Sequence, residues 1–343
     1  MNAKRALIHG TGLIGTSIGL RLREVGWEVV GWDPDPSAVA GAMERGALSD
    51  RVSNPDDLAD ARLMVLAGPL SATVATLREL VPHDGLLVTD VAGVKGPVVA
   101  AGGHLGSFVG GHPMAGAATS GPSLASSRLF HGATWILTTD TGTEDDLIAL
   151  EGIVGSLGAN PVRMTAEEHD AAVARVSHLP HMLAASLVAL AEADGGLASL
   201  AGGGFRDLTR VATSETGWWP EVLATNAGEL MAAVTELEGR LHTWKDALAA
   251  GNTDVIAALL DAARSARASL GEHHAQVRVV LFDRPGEIAR VGHALEASKA
   301  DVRDFQLRHA EHGGGGILTI SVTPPTANVL REALVSEGFT LDD

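Results

Sequence analysis

The chain has 343 residues, a net charge of −17 and no cysteine. Its length suits two or three domains with sizeable cores, and the negative charge disfavours nucleic acid or an anionic membrane surface as a partner. The lack of cysteine excludes disulfides, thiolate metal sites and cysteine nucleophiles. The first residues run directly into a strand-like segment and no apolar run reaches about 18 residues, so we expect a soluble, cytoplasmic protein.

Short apolar strands alternate with helical segments in the first part of the chain. Strands are predicted at residues 5–9, 27–33, 63–67, 86–91, 108–109 and 134–138, with helices from residue 15 to 25 and over 72–80. Alternation with short connections indicates an α/β fold with a parallel, doubly wound (Rossmann) sheet. We assign this predicted domain to residues 1–165.

A glycine-rich segment follows the first strand and opens the first helix. Gly10 allows a tight turn, Gly12 lets a pyrophosphate approach the backbone, and Gly15 lets helix and strand pack closely. The N-terminus of the helix offers free N–H groups and a partial positive charge to phosphates. The alternative interpretation is a glycine-rich turn without a ligand. The candidate cofactor-binding residues are Gly10, Thr11, Gly12, Leu13, Ile14, Gly15 and Asp33.

Asp33 ends the second predicted strand, 18 residues after Gly15. A carboxylate there can accept hydrogen bonds from a ribose 2′-hydroxyl and would repel a 2′-phosphate. Because no arginine stands beside it, the local sequence favours NAD over NADP. The alternative is that Asp33 caps a helix or turn.

Two further domains are predicted after residue 165. Helical patterns over residues 167–193, 219–250 and 255–270 indicate an all-α second domain at 166–271. Residues 275–343 follow the order βαββαβ, with strands at 277–282, 302–309, 317–323 and 339–341 and helices at 287–297 and 326–337. This order is typical of a ferredoxin-like unit.

Residues able to carry out chemistry fall in four segments. The first is residues 89–96 at the end of a strand, and the second holds His112 between glycines and a proline. The third contains His169, Asp170, His178 and His181, and the fourth is residues 202–210 followed by two tryptophans. A histidine such as His112 can accept a proton near neutral pH while a hydride leaves the same substrate. Together the segments indicate a polar pocket between the nucleotide-binding and helical domains.

In this order and spacing, four motifs resemble the prephenate/arogenate dehydrogenase family of tyrosine biosynthesis. They are G-T-G-L-I-G, G-G-H-P-M-A-G, H-D followed by S-H-L-P-H, and G-G-G-F-R-D-L-T-R, and the resemblance extends over nearly the whole chain. It implies NAD-dependent oxidative decarboxylation of prephenate, with arogenate as the alternative substrate, in a homodimer built through the helical domain. The last domain resembles an ACT domain through its turn, and tyrosine or another aromatic amino acid is the expected effector. The turn residues are Asp283, Arg284, Pro285 and Gly286.

The resemblance also implies roles for single residues. His112 is the base on the substrate hydroxyl, Arg210 holds a substrate carboxylate, and His178 lies in the active site. His181 lies near the side-chain carboxylate or carbonyl, His169 touches substrate or begins the helix, and Trp219 reaches the pocket of the neighbouring subunit. From the residues alone, His112 could cap a strand, Arg210 could pair with Asp207 or Glu215, and Trp219 could be an ordinary core or interface aromatic. His178 and His181 could line a helix kink or share a metal, although no third ligand is evident and no metal is expected.

Gly93 departs from the family pattern, which has serine at this position. The missing hydroxyl removes one hydrogen bond to His112, worth about 0.5–1.5 kcal/mol. A water or the hydroxyl of Thr89 or Ser120 could replace it. Loss of the serine also leaves open a second interpretation, in which the protein has kept the fold but is a catalytically silent binding or regulatory protein. A third alternative is a β-hydroxyacid dehydrogenase, a class that relies on a catalytic lysine in its helical domain. Lys245 is the only lysine in residues 166–270 and lies outside the motifs, so the sequence disfavours this alternative.

Overall fold

The computed structural model describes residues 4–54, 58, 60–115, 121–193, 197–213, 217–269, 275–309 and 315–342. The chain divides into two compact units, residues 1–239 and 240–343. All motif segments except the turn at residues 283–286 belong to the first unit.

A six-stranded parallel sheet forms the centre of the first unit. Its strands are β1 (Arg5–His9), β2 (Glu28–Trp32), β3 (Asp50–Arg51), β4 (Leu63–Leu66), β5 (Leu87–Asp90) and β6 (Phe108–Val109), in the spatial order β3-β2-β1-β4-β5-β6. The helices that connect them are α1 (Leu13–Glu24), α2 (Pro36–Glu44), α3 (Leu70–Glu79) and α4 (Gly96–Gly102). The four residues of β4 are all buried, as expected for a parallel strand covered on both faces. The strand order reverses between β1 and β4, where doubly wound sheets bind ligands.

A separate three-stranded sheet carries the segment around His112. It consists of β7 (Gly111–Pro113), β8 (Thr134–Thr138) and β9 (Asn160–Met164), and α5 (Glu144–Ser156) connects the last two strands. The strand at 134–138 was expected in the parallel sheet, and that placement is wrong because β8 pairs antiparallel with β7 and parallel with β9. The sequence did not indicate β7 or β9, since glycine and proline are depleted in strands and the side chains of β9 are mostly exposed.

The helical part of the first unit contains breaks that periodicity did not predict. The helices are α6 (Ala166–Val173), α7 (Leu179–Ala193), α8 (Gly203–Thr209) and α9 (Trp219–Thr225), and a π-helical turn, Ala174–His178, joins α6 to α7. The next helix, α10 (Ala227–Ala249), begins in the first unit and ends in the second. Pro180 cannot donate a backbone hydrogen bond to the preceding turn, which accounts for the irregularity just before it. Thr165 and Glu168 form a reciprocal capping box that fixes where α6 begins.

The segment Ala166–Ala193 is long and apolar enough to span a membrane by length and composition alone. No such segment was expected from the sequence. Its most apolar stretch is 22% buried within this chain. The N-terminal half nevertheless carries the polar side chains of His169, Asp170 and His178, which are buried in hydrogen-bonded positions.

The second unit contains an antiparallel sheet. After α11 (Thr253–Ser269), the described elements are β10 (Ala275–Leu281), α12 (Glu287–Ser298), β11 (Val302–His309), β12 (Gly316–Val322), α13 (Pro324–Ser336) and β13 (Thr340–Leu341). The strands lie in the order β11-β12-β10-β13, and every neighbouring pair is antiparallel. Alternating residues of β10 pack with the two helices in one apolar core.

Candidate active site

The glycine-rich loop lies at the carboxyl end of β1, where the strand order reverses. Gly10 has φ +103°, and a Cβ on it would lie 2.6 Å from the carbonyl carbon of Ala67. A Cβ on Gly15 would collide with the carbonyl oxygen of Gly10. A Cβ on Gly12 would meet no atom within 4 Å, so this part of the loop is open. No side chain caps the start of α1, and its N–H groups are left for an anion.

Asp33 is held in place by the loop next to it. One carboxylate oxygen accepts hydrogen bonds from the backbone N–H of Thr11 at 2.7 Å and from its hydroxyl at 3.3 Å, and the other accepts from the N–H of Asp35 at 2.9 Å. Asp33 therefore does not cap the following helix, because Asp35 is the N-cap of α2. A carboxylate at the end of β2 is the arrangement that suits a ribose diol.

A buried ion pair joins the ends of β5 and β7. The ammonium group of Lys95 contacts the carboxylate of Asp90 and donates to the carbonyl oxygen of Gly111 at 2.5 Å, and both ionic side chains have no exposed surface. The other oxygen of Asp90 accepts from the N–H of Gly111 at 3.0 Å. The residue before His112 is thus held at both its N–H and its carbonyl.

His112 begins a chain of hydrogen bonds that ends on a carboxylate. Its Nδ1 lies 2.8 Å from Nε2 of His169, and Nδ1 of His169 lies 2.7 Å from the carboxylate of Asp170. Asp170 also accepts from the backbone N–H groups of Lys95 at 2.7 Å and Gly96 at 2.8 Å. The carboxylate therefore connects the first turn of α6 to the start of α4.

The direction of these bonds follows from the carboxylate, which can only accept. His169 must donate through Nδ1, so its Nε2 is unprotonated when the ring is neutral. Nδ1 of His112 must then donate to it, and Nε2 of His112 carries a lone pair. A Cβ on Gly93 would lie 3.7 Å from this Nε2, so Gly93 leaves space directly beside the basic atom.

The ionisation states agree with this arrangement. Burial lowers the pKa of His112 well below its usual value of 6.5, and His169, Lys95 and His178 lower it further. Burial opposes ionisation of Asp170, but hydrogen bonds from His169 and from the two backbone N–H groups hold its pKa below 3.8. At neutral pH His112 is therefore an uncharged imidazole, and Asp170 is an ionised carboxylate.

His178 and His181 lie on either side of an aromatic cluster. The ring of His181 stacks on Trp219 at 3.8 Å between centroids, Trp219 stacks on Trp218 at 4.5 Å, and His178 meets Trp219 edge-on at 6.1 Å. The Nε1 atom of Trp219 is buried without a hydrogen-bond partner among the described residues. Nδ1 of His178 lies 3.2 Å from Nδ2 of Asn226. Burial lowers the pKa of both histidines.

Several other residues considered from the sequence do not join these hydrogen bonds. Arg210 is exposed at the end of α8, and its guanidinium makes no hydrogen bond or ion pair with a described residue. The hydroxyl of Thr89 is buried and makes no hydrogen bond to a described residue, so it does not replace the serine expected at Gly93. Ser120 and Glu215 lie outside the described residues. Among the described residues, no group of three or more histidine or acidic side chains could hold a metal ion.

The sequence assigned no role to Asp90, Lys95 or Asn226, whose side chains the structure places in hydrogen bonds around the site. Asp90 and Lys95 lie in the 89–96 segment, but an apolar strand end gives no sign that they pair. His169 was expected to touch substrate or begin a helix; its side chain is fully buried and contacts His112. Asn226 lies inside a predicted continuous helix, and only the break between α9 and α10 marks it.

The sheet order, the open glycine loop and the carboxylate of Asp33 are those of an NAD-binding fold, and His112 is a candidate base for an oxidoreductase. Comparison with known proteins gives the family. Residues 18–161 match the model "Prephenate dehydrogenase, nucleotide-binding domain", and residues 165–262 match "Prephenate dehydrogenase, dimerization domain". The chain belongs to the prephenate dehydrogenase family.

Individual relatives agree with this assignment. The prephenate dehydrogenase of Bacillus subtilis is 30% identical over 338 residues, which cover 92% of this chain and 91% of the relative. The structure of A. aeolicus prephenate dehydrogenase in complex with hydroxyphenyl propionate and NAD+ is similar with a TM-score of 0.73 and 26% identity, covering 79% of this chain and 99% of that one. The structure of Synechocystis arogenate dehydrogenase is similar with a TM-score of 0.70 and 30% identity, covering 77% of this chain and 98% of that one.

Proposed function

We propose that the protein is an NAD-dependent prephenate dehydrogenase, which converts prephenate to 4-hydroxyphenylpyruvate in tyrosine biosynthesis. The observation that carries the proposal is the hydrogen-bonded chain from Asp170 through His169 to His112. It supplies a neutral base with its lone pair on Nε2, beside Gly93, where the lack of a side chain leaves room for an added carbon atom in van der Waals contact. An oxidation that begins at a ring hydroxyl needs such a base.

The reaction can be followed through the proposed base. Nε2 of His112 accepts the hydrogen bond of the ring hydroxyl and takes its proton as the carbon–oxygen bond gains ketone character. NAD, when bound, accepts the hydride from the same carbon. The ring carboxylate leaves as carbon dioxide, its bonding electrons complete the aromatic ring, and His112 returns the proton to the phenolic oxygen. Overall, prephenate and NAD+ give 4-hydroxyphenylpyruvate, carbon dioxide and NADH, with no net proton released.

We assign the remaining roles from the motifs and the geometry. His178 is the second catalytic histidine, Arg210 binds a substrate carboxylate, and His181 binds the side chain of the substrate. Trp219 contributes its unpartnered indole N–H, and the space at Gly93 receives the ring hydroxyl. His169 acts through His112, because its own side chain has no exposed surface.

The proposed cofactor contacts use the loop and the strand that follows it. The backbone of Gly10, Thr11, Gly12, Leu13, Ile14 and Gly15 would hold the pyrophosphate of NAD. Asp33 would accept the ribose hydroxyls, with its oxygens already oriented by Thr11 and Asp35. No basic side chain within the described residues bonds to Asp33, which supports NAD over NADP.

Steady-state kinetics with both substrates and both cofactors test the proposal. We expect prephenate with NAD to give the highest kcat/KM, and His112→Asn to reduce kcat by a factor of about 10² or more because the base is lost. A much larger kcat/KM with arogenate would make the protein an arogenate dehydrogenase. The similarity to the Synechocystis enzyme supports this second candidate. Binding of NAD without NADH formation from either substrate would favour a silent regulator.

We also propose a cytoplasmic homodimer with domains at residues 1–165, 166–271 and 275–343. The family model for the helical segment is a dimerization domain, and large apolar side chains on this segment are exposed in the single chain. They include Leu190 at 69%, Leu200 at 79% and Leu208 at 70% exposed. Light scattering should give twice the chain mass, and Leu190→Glu with Leu208→Glu should give monomer; a monomeric wild type would contradict the proposal.

The last proposal concerns the second unit, which we assign as a ferredoxin-like ACT regulatory domain. Its strand order and its turn at Asp283, Arg284, Pro285 and Gly286 support the assignment. The first three turn residues line a cavity of about 300 Å³ together with Phe282, Ile288 and Leu307. Tyrosine should bind there and change the rate. Titration with tyrosine that alters neither rate nor melting temperature would exclude this effector.

A further inference from the structure

His178 has a hydrogen-bond partner of its own, separate from the chain that supports His112. It lies at the end of the π-helical turn with 2% of its surface exposed, and its Nδ1 is 3.2 Å from Nδ2 of Asn226. Asn226 is 4% exposed, and the same Nδ2 donates to the backbone carbonyl of Asp170 at 2.8 Å.

The second of these bonds fixes the orientation of the amide. A backbone carbonyl can only accept, so the group that faces Asp170 must be the NH2 end of Asn226. One hydrogen of that nitrogen goes to the carbonyl, and the other points toward Nδ1 of His178. Nδ1 therefore accepts, and a neutral ring must carry its proton on Nε2.

The surroundings of His178 keep the ring neutral. Burial is the main cause that lowers its pKa; Asp170 acts in the opposite direction, and His169 adds to the lowering. Nε2 of His178 makes no hydrogen bond to any residue that the structure describes. The neighbouring indole N–H of Trp219 is also without a partner. Two neighbouring donors, on His178 and Trp219, are thus left without an acceptor among the described residues.

We propose that Asn226 is a positioning residue that fixes His178 as an Nε2–H donor for the side-chain carboxylate of the substrate. His112 and His178 then have opposite roles: an Asp170–His169 pair leaves a lone pair on His112, and an amide leaves an N–H on His178. The inference rests on the proposed function, since prephenate supplies the carboxylates. It also explains why residue 226 is an asparagine and not an aspartate. An aspartate carboxylate would accept a hydrogen bond from Nδ1 of His178 and so favour the opposite tautomer of this ring.

Nitrogen NMR of the whole, ligand-free protein tests the tautomer without any substrate. With histidine labelled by ¹⁵N, long-range ring correlations at pH 7.5 should show His178 protonated at Nε2 and unprotonated at Nδ1. The signals of His178 are identified as those missing from the spectrum of His178→Gln. Asn226→Asp should shift the ring proton of His178 from Nε2 to Nδ1. Asn226→Leu should remove the hydrogen bond to Nδ1 of His178 but should not place the proton there. A wild-type His178 with its proton on Nδ1 would overturn the proposal.

Binding of hydroxyphenyl propionate with NAD, measured by calorimetry, tests the donor role. His178→Phe should raise Kd roughly tenfold or more, since a hydrogen bond to a charged group is lost. His178→Gln should stay close to wild type, because its amide N–H can replace the donor at Nε2. Asn160→Leu is the matched control, since Asn160 also donates to a backbone carbonyl but at an exposed site, and it should not change Kd.

The two sets of results separate this inference from the proposed function. Equal losses in His178→Phe and His178→Gln would overturn the donor role even if the protein oxidises prephenate. A correct tautomer and selective loss in His178→Phe would support it even if turnover showed a different substrate.

Discussion

Replacing Gly93 with serine tests what orients the substrate hydroxyl. The backbone of Gly93 is outside the left-handed region, and a Cβ there would lie 3.7 Å from Nε2 and 3.8 Å from Cε1 of His112, which is ordinary van der Waals contact. A serine therefore fits without strain, and its hydroxyl, one bond further out, can reach Nε2 or the ring hydroxyl. Since His169 already holds Nδ1 of His112, the serine adds one hydrogen bond and does not restore a lost orientation.

The size of the effect follows from that single bond. A net 0.5–1.5 kcal/mol, the usual worth of about one neutral hydrogen bond, corresponds to roughly 2-fold to 13-fold in rate. We expect Gly93→Ser to raise kcat/KM for prephenate by a factor in this range. Gly93→Ala is the control, because it fills the same space without a hydroxyl and should give no gain. A serine variant no faster than the alanine variant would refute the reasoning.

Four further predictions concern the base, the ion pair and the cofactor. Because neutral His112 is the active form and burial lowers its pKa, log kcat/KM should stay level on acidification through pH 6.5 and fall only below it; a limb centred at or above 6.5 would contradict this. His169→Phe should lower kcat by about 5-fold to 150-fold, the cost of leaving a buried donor unsatisfied, with KM for NAD unchanged. Lys95→Met leaves a buried carboxylate unpaired, so urea unfolding should show that it lowers the free energy of unfolding by about 3–5 kcal/mol. Arg163→Met should lower it by only about 0–1 kcal/mol, because the ion pairs of Arg163 lie at the surface. Asp33→Ser should reduce kcat/KM for NAD by roughly 10-fold or more. It should also lower the ratio of kcat/KM with NAD to kcat/KM with NADP, which is measured with each cofactor in turn.

Local sequence patterns predicted the parts of the fold that depend on local physics. Strand–helix alternation indicated the parallel sheet, and the spacing from Gly10 to Asp33 indicated its cofactor loop. The second sheet was missed because β7 is a three-residue strand of glycine, histidine and proline, which forms only through its pairing with β8. The π-helical turn was missed because helical periodicity is too coarse to register one extra residue per turn.

The site shows the same division between local and long-range information. His112, His178 and His181 stand in recognisable motifs, but their hydrogen-bond partners come from distant segments: His169 is 57 residues from His112, and Asn226 is 48 residues from His178. No periodicity links such pairs. Arg210 was predicted beside the substrate, yet in the single chain it is exposed, and its role remains a prediction.

The hydrogen bonds of Asp170 make the base depend on how two segments pack. Its carboxylate accepts from the backbone of Lys95 and Gly96 on one side and from His169 on the other. If α6 moved away from the start of α4, the carboxylate of Asp170 would lose two N–H donors, and His169 on the same helix would move away from His112. Nδ1 of His112 would then lose its acceptor, and the tautomer that leaves a lone pair on Nε2 would no longer be fixed. The proposed base therefore depends on the packing of α6 against the start of α4, and in the proposed reaction this packing links the proton acceptor to the fold that holds the hydride acceptor.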